Sequence, residues 1–169
     1  MRPAARALAG LAMLGSLACA PPSRSSGVLR DVPFERLAEG ESFTVGAATL
    51  MVARSAGQAA ALARLASATD ARERLTKVDF RRSSVIGIFV GPMGSSGHRI
   101  SVQTVEADAV AVRITVAPTR PAPGHNANDV LSYPYAIIAV PAPLAPARGA
   151  WTVVGPTGEV FIDRSLTAR

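Results

Sequence analysis

The sequence contains very few cysteine, lysine and aromatic residues. Among its 169 residues there are one Cys, one Trp and 5% aromatic residues in total. A single cysteine excludes an internal disulfide framework and any zinc or iron–sulfur site that several cysteines would hold. The length suffices for one domain with an ordinary hydrophobic core, so folding requires neither disulfides nor a structural metal.

The charge is positive but scattered along the chain. Lys and Arg number 18 against 12 Asp and Glu, which gives a formal net charge of +6. Arg81 and Arg82 are the only adjacent basic pair, and no basic stripe alternates with aromatic residues. Because nucleic-acid binding needs a concentrated basic face, we expect no nucleic-acid partner.

The first residues have the pattern of an export signal. Arg2 and Arg6 precede Ala7–Leu17, an uncharged apolar stretch that is followed by small residues. A helix needs about 20 apolar residues to span a bilayer, so this shorter stretch is typical of a secretory signal instead. We therefore predict a lipoprotein signal peptide over residues 1–18.

Cys19 is the predicted lipidation site. Gly15–Cys19 resembles a bacterial lipobox, in which the cysteine thiol is acylated and becomes the new N-terminus. Acylation would also consume the one free thiol of an exported chain. Residues 19–27 then form a polar tether, and Ala20 is compatible with sorting to the outer membrane. We expect a lipid-anchored protein of the bacterial cell envelope, at the outer membrane or its periplasmic face. The alternative, a cut after Ala20, would release a soluble periplasmic or secreted protein.

Residues 28–77 predict one early strand and one short helix. The strand is expected over residues 43–52. Ser55 and Gln58 have the S-x-x-Q spacing of a capping box, which predicts a helix over residues 59–68. We expect this region to be part of the same domain as the rest, because the strand needs a sheet to join.

Period-two patterns dominate from residue 78 onward. Two apolar runs, Val85–Val90 and Tyr135–Val140, predict central strands that are buried on both faces. Alternating apolar and polar residues predict a hairpin over residues 98–117, and residues 142–169 predict a C-terminal hairpin. The predicted fold is mainly β: a compact antiparallel β-sandwich-like domain of about seven strands with one short helix.

Two loops interrupt this regular pattern. Residues 91–97 are rich in glycine and join a buried strand to an amphipathic one, whereas residues 117–128 are longer and polar. Binding residues often lie on loops of a rigid scaffold. A long connection rich in Pro and Gly can equally be a crossover between two sheets.

No motif in the sequence indicates catalysis, a cofactor or a metal. Ser95, Ser96, His98, His125 and Asp129 are the residue types of a hydrolase triad, but the G-x-S-x-G elbow is missing. Two histidines without a fixed ligand spacing do not define a metal site. We therefore expect a protein that is not an enzyme and that binds no cofactor or metal.

Three segments carry family-specific patterns. Val78-Asp79-Phe80 precedes the first apolar run, and Gly91–Val102 aligns without gaps with the pattern G-x-R-P-T-G-G-Y-x-I-x-I. Ser132–Pro141 contains the rare string Y-P-Y before an apolar run. With these motifs, residues 78–141 resemble the C-terminal domain of the PrcB family of protease-complex subunits.

The resemblance implies a non-catalytic, exported β domain that binds a protein, as a subunit of a protease complex or as an inhibitor-like protein. The family string Arg-Pro-Thr-Gly-Gly-Tyr is similar to the N-P-T-T-G-Y loop of chagasin-like cysteine-protease inhibitors, a β-sandwich group that inserts loops into an active-site cleft. In this chain the string is replaced, and only its second glycine is kept. The residues at these positions form the candidate partner-binding loop: Met93, Gly94, Ser95, Ser96, Gly97 and His98.

The expected partners are therefore a protein, which the resemblance identifies as a protease, and the membrane through the lipid anchor. An alternative from a different class is an envelope structural or ligand-binding lipoprotein that keeps the scaffold and has no protease partner.

Overall fold

The computed structural model describes residues 27–67, 69–120, 131–145 and 149–166. In these ranges the chain forms nine strands, two α-helices and a short 3-10 helix at Ala142–Leu144. The strands are β1 (Arg30–Asp31), β2 (Glu35–Ser42), β3 (Thr49–Ala53), β4 (Ser83–Phe89), β5 (Arg99–Ala107), β6 (Ala111–Thr119), β7 (Tyr133–Pro141), β8 (Gly149–Val154) and β9 (Val160–Leu166), and the helices are α1 (Ala56–Ala66) and α2 (Thr69–Thr76).

The strands form two sheets that pack face to face. One sheet has five strands in the order β1-β5-β6-β8-β9, and the other has four in the order β2-β7-β4-β3. The predicted mainly β, sandwich-like fold is therefore confirmed. One pair departs from the antiparallel expectation, since β6 and β8 run parallel. The chain leaves the five-stranded sheet after β6, forms β7 in the other sheet and then returns, and such a crossover is what a parallel pair requires.

The four-stranded sheet is covered on both faces. Its inner face packs against the five-stranded sheet through a core that includes Ile86, Ile88, Ile114 and Trp151. Its outer face packs against α1 and α2 through a second core that includes Leu62, Leu75, Val85, Phe89 and Ile137. This arrangement explains why β4 and β7 have continuous apolar sequences, and it confirms that both are central strands buried on both faces.

Gly87 lies where α1 crosses closest to the sheet. It is in the middle of β4, and a Cβ atom at this position would collide with the side chain of Leu62. Leu62 is fully buried at 0% exposure. A glycine here lets the helix approach the sheet more closely than any other residue would allow.

Two arginines connect the sheets at their open sides. Arg36 of β2 donates from Nη2 to the carbonyl of Val102 in β5 at 2.8 Å. On the other side, Arg164 of β9 donates from Nη1 to the carbonyl of Leu50 in β3 at 2.8 Å. Each bond satisfies a backbone acceptor near a sheet edge, where no neighbouring strand is available.

Besides the two-residue strand β1, two elements were not predicted, namely α2 and β2. In α2 the buried residues are Ala71 and Leu75, a narrow stripe in an otherwise polar sequence. Strand β2 has the charged sequence ERLAEGES and a register shift at Leu37, as is common in edge strands. Neither segment has the apolar periodicity by which sequence patterns are recognised.

The early strand and helix are present with different bounds. The strand begins only at Thr49, because residues 43–48 form a turn between β2 and β3. The Ser55 part of the predicted capping box is present, since Ser55 Oγ accepts from the Gln58 N–H at 3.3 Å. The Gln58 side chain also reaches back, but its Oε1 accepts from the N–H of Arg54, one residue before the cap, at 2.7 Å. Helix α1 therefore begins directly after Ser55.

Both predicted hairpins are confirmed. Strands β5 and β6 pair antiparallel, and Asp108 Oδ1 stabilises their turn by accepting from the N–H groups of Val110 and Ala111 at 2.8 and 2.7 Å. Strands β8 and β9 also pair antiparallel, and the Gly158 N–H donates to the Gly155 carbonyl at 3.1 Å. Strands from before and after residue 78 share one sheet, because β2 pairs with β7 and β3 pairs with β4.

Several predictions concern residues outside the described ranges. These are the signal peptide over residues 1–18, the lipidation site Cys19, the tether as far as residue 26, and the pair His125 and Asp129. Within the described ranges, no helix has the length and apolar character needed to cross a membrane.

Candidate functional site

Residues 91–98, which include the candidate loop at residues 93–98, form a connection between the two sheets at one end of the sandwich. It leaves the four-stranded sheet after β4 and enters the five-stranded sheet at β5. Gly91 has φ +90°, in the left-handed region that favours glycine, and a Cβ atom there would be 3.2 Å from the backbone nitrogen of Ala48. Gly97 also has a positive φ, +84°. Glycines at these two positions allow the chain to turn from one sheet to the other.

Two backbone–backbone hydrogen bonds and one bond to a side chain hold the loop in place. The Met93 N–H donates to the Ser132 carbonyl at 2.7 Å, and the Ser132 N–H donates to the Met93 carbonyl at 3.1 Å. At the other end of the loop, the Gly97 N–H donates to Glu41 Oε1 at 2.6 Å. The side chain of Met93 is half-buried and packs against the core between the sheets. The loop is thus fixed at both ends before any partner binds.

The polar side chains of the loop lie between these two fixed points. Ser95 Oγ and His98 Nε2 are 3.0 Å apart and share a hydrogen bond. Ser95, Ser96 and His98 are half-buried, whereas Gly94 and Gly97 are exposed. The structure therefore brings Ser95 and His98 together, two of the residue types expected in a triad. His125 and Asp129, the others of that set, lie outside the described residues.

In the part of the chain that the structure describes, no group of three or more His, Cys, Asp and Glu side chains could hold a metal ion.

The structure adds three residues to this end of the sandwich that the sequence did not point to. Glu41 reaches the loop from β2, 56 positions away in sequence, so no local pattern could have revealed the contact. Ser132 is fully buried, and its hydroxyl has no hydrogen-bond partner among the described residues. Phe43 follows β2 and is 73% exposed. The sequence around Phe43 resembles a strand, so the sequence alone predicts a buried side chain there. Its exposure becomes visible only when β2 has been placed in the sheet.

The tyrosines of the Y-P-Y string have a packing role. Tyr135 is buried beside Phe89, with ring centroids 5.7 Å apart. Burial, and then the negative charge of Asp70, raise the pKa of the Tyr135 hydroxyl above its usual value. A Cβ atom at Gly40 would be 3.0 Å from this hydroxyl. Tyr133 is half-buried at the start of β7. The most distinctive string in the sequence therefore shapes the core and not the binding surface.

The comparison with known families matches this part of the structure. Residues 84–141 match the family model described as PrcB C-terminal. The matched segment contains nearly all of β4, the candidate loop, β5, β6 and β7. It therefore includes two neighbouring strands from each sheet, with the loop between β4 and β5. No curated protein and no solved structure matches the chain.

The fold and the match together define a class. The protein is a β-sandwich with a helical layer on one face, and residues 84–141 of it are similar to the family described as PrcB C-terminal. The predicted resemblance is thereby confirmed over residues 84–141, and this family indicates a role in association with a protease complex.

Proposed function

We propose that the chain is a non-catalytic lipoprotein of the cell envelope whose β domain joins a protease complex through residues 93–98. The observation that carries this proposal is the family match, because residues 84–141 include the whole candidate loop and the strands on both sides of it.

The geometry of the loop suits protein recognition. Exposed Gly94 and Gly97 leave room for a partner backbone to approach closely. Ser95 and His98 offer hydrogen-bonding groups at the same surface. Since the loop is already held by Ser132 and Glu41, little conformational entropy is lost when a partner binds.

The lipid anchor would keep the domain at the membrane. Cys19 is its attachment point, and a tether over residues 19–27 spans about 30 Å at most when fully extended. Two or more acyl chains would hold the protein stably, because a single chain gives only marginal binding.

A second candidate is an envelope lipoprotein that keeps the scaffold and has lost the protease partner. The observation that favours it is the loop sequence, because five of the six residues at positions 93–98 depart from the family string, and only Gly97 matches it. An altered loop could bind another protein or a ligand with the same scaffold.

Loop variants of the full chain distinguish the two candidates. In cells that naturally express the protein, we would replace Ser95, Ser96 and His98 together by alanine, and use Ser165→Ala as the matched control. Ser165 is exposed on β9 and pairs with Ala150, near the other end of the sandwich. We expect the triple variant to recover at least about tenfold less protease after crosslinking, as for loss of a small hot spot, and the control to recover the usual amount.

A loop graft gives the complementary test. Residues 93–98 are replaced by Arg-Pro-Thr-Gly-Gly-Tyr, and unfolding curves verify that the domain remains folded. Increased protease recovery would support the proposal. If neither the graft nor the triple variant changed recovery, the loop would not be the contact and the second candidate would be favoured.

A further inference from the structure

Three adjacent strands end side by side next to the candidate loop, and each end carries an apolar side chain. Ser42 pairs with Tyr133, and Met93 pairs with Ser132. These pairings place Phe43 and Met93 on either side of Ser132, at the ends of β2 and β7 and in the loop after β4, and Leu131 is the next residue beyond Ser132. Neighbouring strands are about 4.8 Å apart, so this apolar row is about 10 Å long.

Two members of the apolar row are strongly exposed. Phe43 is 73% and Leu131 is 53% exposed, whereas Met93 is half-buried. The backbone around Phe43 is fixed, because the Ser42 and Thr44 hydroxyls both donate to the Leu65 carbonyl, at 2.5 and 2.8 Å. Aromatic side chains contribute much of the binding energy at protein interfaces, so an exposed ring on an ordered backbone is a candidate interface anchor.

The border of the apolar row is positively charged. Arg99 begins β5, Arg120 follows β6, and both are exposed. Arg99 pairs with Thr119, so the two arginines lie at the same end of the five-stranded sheet. Glu41 is near the same end and keeps its negative charge while it accepts a hydrogen bond from the Gly97 N–H, so two positive charges and one negative charge leave the border with a net positive charge. A partner surface that complements this border is therefore acidic.

The chain enters the domain at the opposite end. A Cβ atom at Gly27 would be 2.7 Å from Asp108 Oδ2, and Asp108 follows the last residue of β5, whereas the candidate loop precedes its first. Strand β5 has nine residues, and at about 3.3 Å per residue it separates the two ends by about 30 Å. The apolar row is thus at the far end of the domain from the tether.

From this arrangement we infer that the apolar row docks into a partner protein that presents an apolar pocket, which receives Phe43, bordered by acidic side chains. The inference rests on the proposed protein-binding function and adds the chemistry of the partner surface. A lipid surface is disfavoured, since the apolar row lies at the far end from the tether and beside the hydrogen-bonding groups of Ser95 and His98.

Site-specific photocrosslinking tests the inference. In one variant of the full chain, expressed in the cells that naturally produce it, benzoylphenylalanine replaces Phe43. In a second variant, the control, it replaces Val110. Val110 is 52% exposed and follows Asp108, at the tether end. We expect a protein adduct from position 43 that is absent at position 110, and the crosslinked partner peptide should lie next to acidic residues. The adduct should fall at least about tenfold when Arg99 and Arg120 are both changed to Glu, because like charges at an interface repel.

Other outcomes overturn the inference. A phospholipid adduct at position 43, the same protein adduct at both positions, or no adduct at position 43 would each do so. Position 43 could give no adduct while the triple alanine variant of Ser95, Ser96 and His98 still loses the protease. In that case docking by the apolar row is refuted but the proposed function stands. If position 43 crosslinks an acidic protein that is not part of a protease complex, the docking chemistry stands and the protease assignment fails.

Discussion

Replacing Gly87 by alanine tests the close packing of α1 on the four-stranded sheet. The added methyl group would collide with the side chain of Leu62. Leu62 cannot move into solvent because it is fully buried between the helix and the sheet. The substitution must therefore displace the leucine side chain, the helix or the strand.

The expected loss follows from this overpacking. Forcing an extra methyl group into a well-packed core costs about 1–3 kcal/mol of unfolding free energy. For a domain of this size each kcal/mol lowers Tm by about 2–4 °C. Alanine has a higher strand propensity than glycine, by about 0.5–1 kcal/mol, so roughly a third of the loss is offset. We expect Gly87→Ala to lower Tm by several degrees.

A double-mutant cycle with Leu62→Ala isolates the contact. Leu62→Ala alone leaves a cavity and costs about 2–5 kcal/mol. It also removes the atoms that the new methyl group would meet, so Gly87→Ala should be neutral or stabilising in that background. Urea unfolding followed by circular dichroism gives the free energy of each variant.

Gly46→Ala is the matched control, because no heavy atom lies within 4 Å of a Cβ at that position. Its unfolding free energy should stay within about 0.5 kcal/mol of the original value. An unchanged midpoint for Gly87→Ala, or strictly additive effects in the cycle, would refute the packing described for α1.

Three further predictions concern the helix cap, the loop and one surface turn. Ser55→Ala removes the α1 cap and should lower the unfolding free energy by about 0.5–2 kcal/mol in urea titrations; no change would contradict the capping role. Gly91→Ala should destabilise the domain, because φ is +90° there, whereas Gly94→Ala, with open space around its Cβ, should leave its Tm unchanged; equal shifts in Tm would contradict the backbone argument. A hydrogen bond from the Thr157 hydroxyl is the main reason that the pKa of Glu159 is lowered. Its ionised form therefore stabilises the fold at neutral pH, and this contribution is lost as the pH falls below about 4.3, the usual value for Glu, and through the lowered pKa of the folded state. The stability difference between Glu159→Gln and the original chain should accordingly vanish in strong acid, and a difference independent of pH would contradict this.

The sequence was most informative where side chains are buried on both faces of a sheet. The apolar runs at Val85–Val90 and Tyr135–Val140 leave little alternative to central strands, and the turn residues around Gly155–Gly158 indicate the last hairpin. The charged edge strand β2 was missed because it is polar, buries only Leu37 and Ser42, and is held in the sheet by its pairing with β7. Its identity depends on the neighbour that it pairs with, which local sequence does not encode.

Only part of the candidate site could likewise be predicted from the sequence. The glycine pattern and the family resemblance located residues 93–98, because left-handed backbone at Gly91 and Gly97 requires that residue type. The contact from Glu41 and the position of Phe43 depend on strands that meet only in the folded chain. Long-range neighbours of this kind cannot be read from a single sequence without the topology.

Affinity purification of the full chain from its native envelope, after mild crosslinking, tests the central claim most directly. Mass spectrometry of the intact bait protein shows where its N-terminus lies and whether it is acylated. We predict a bait that begins at an acylated Cys19 and the recovery of a protease in amounts that depend on Ser95, Ser96 and His98. An acylated bait that recovers no protease would contradict the proposed association with a protease complex.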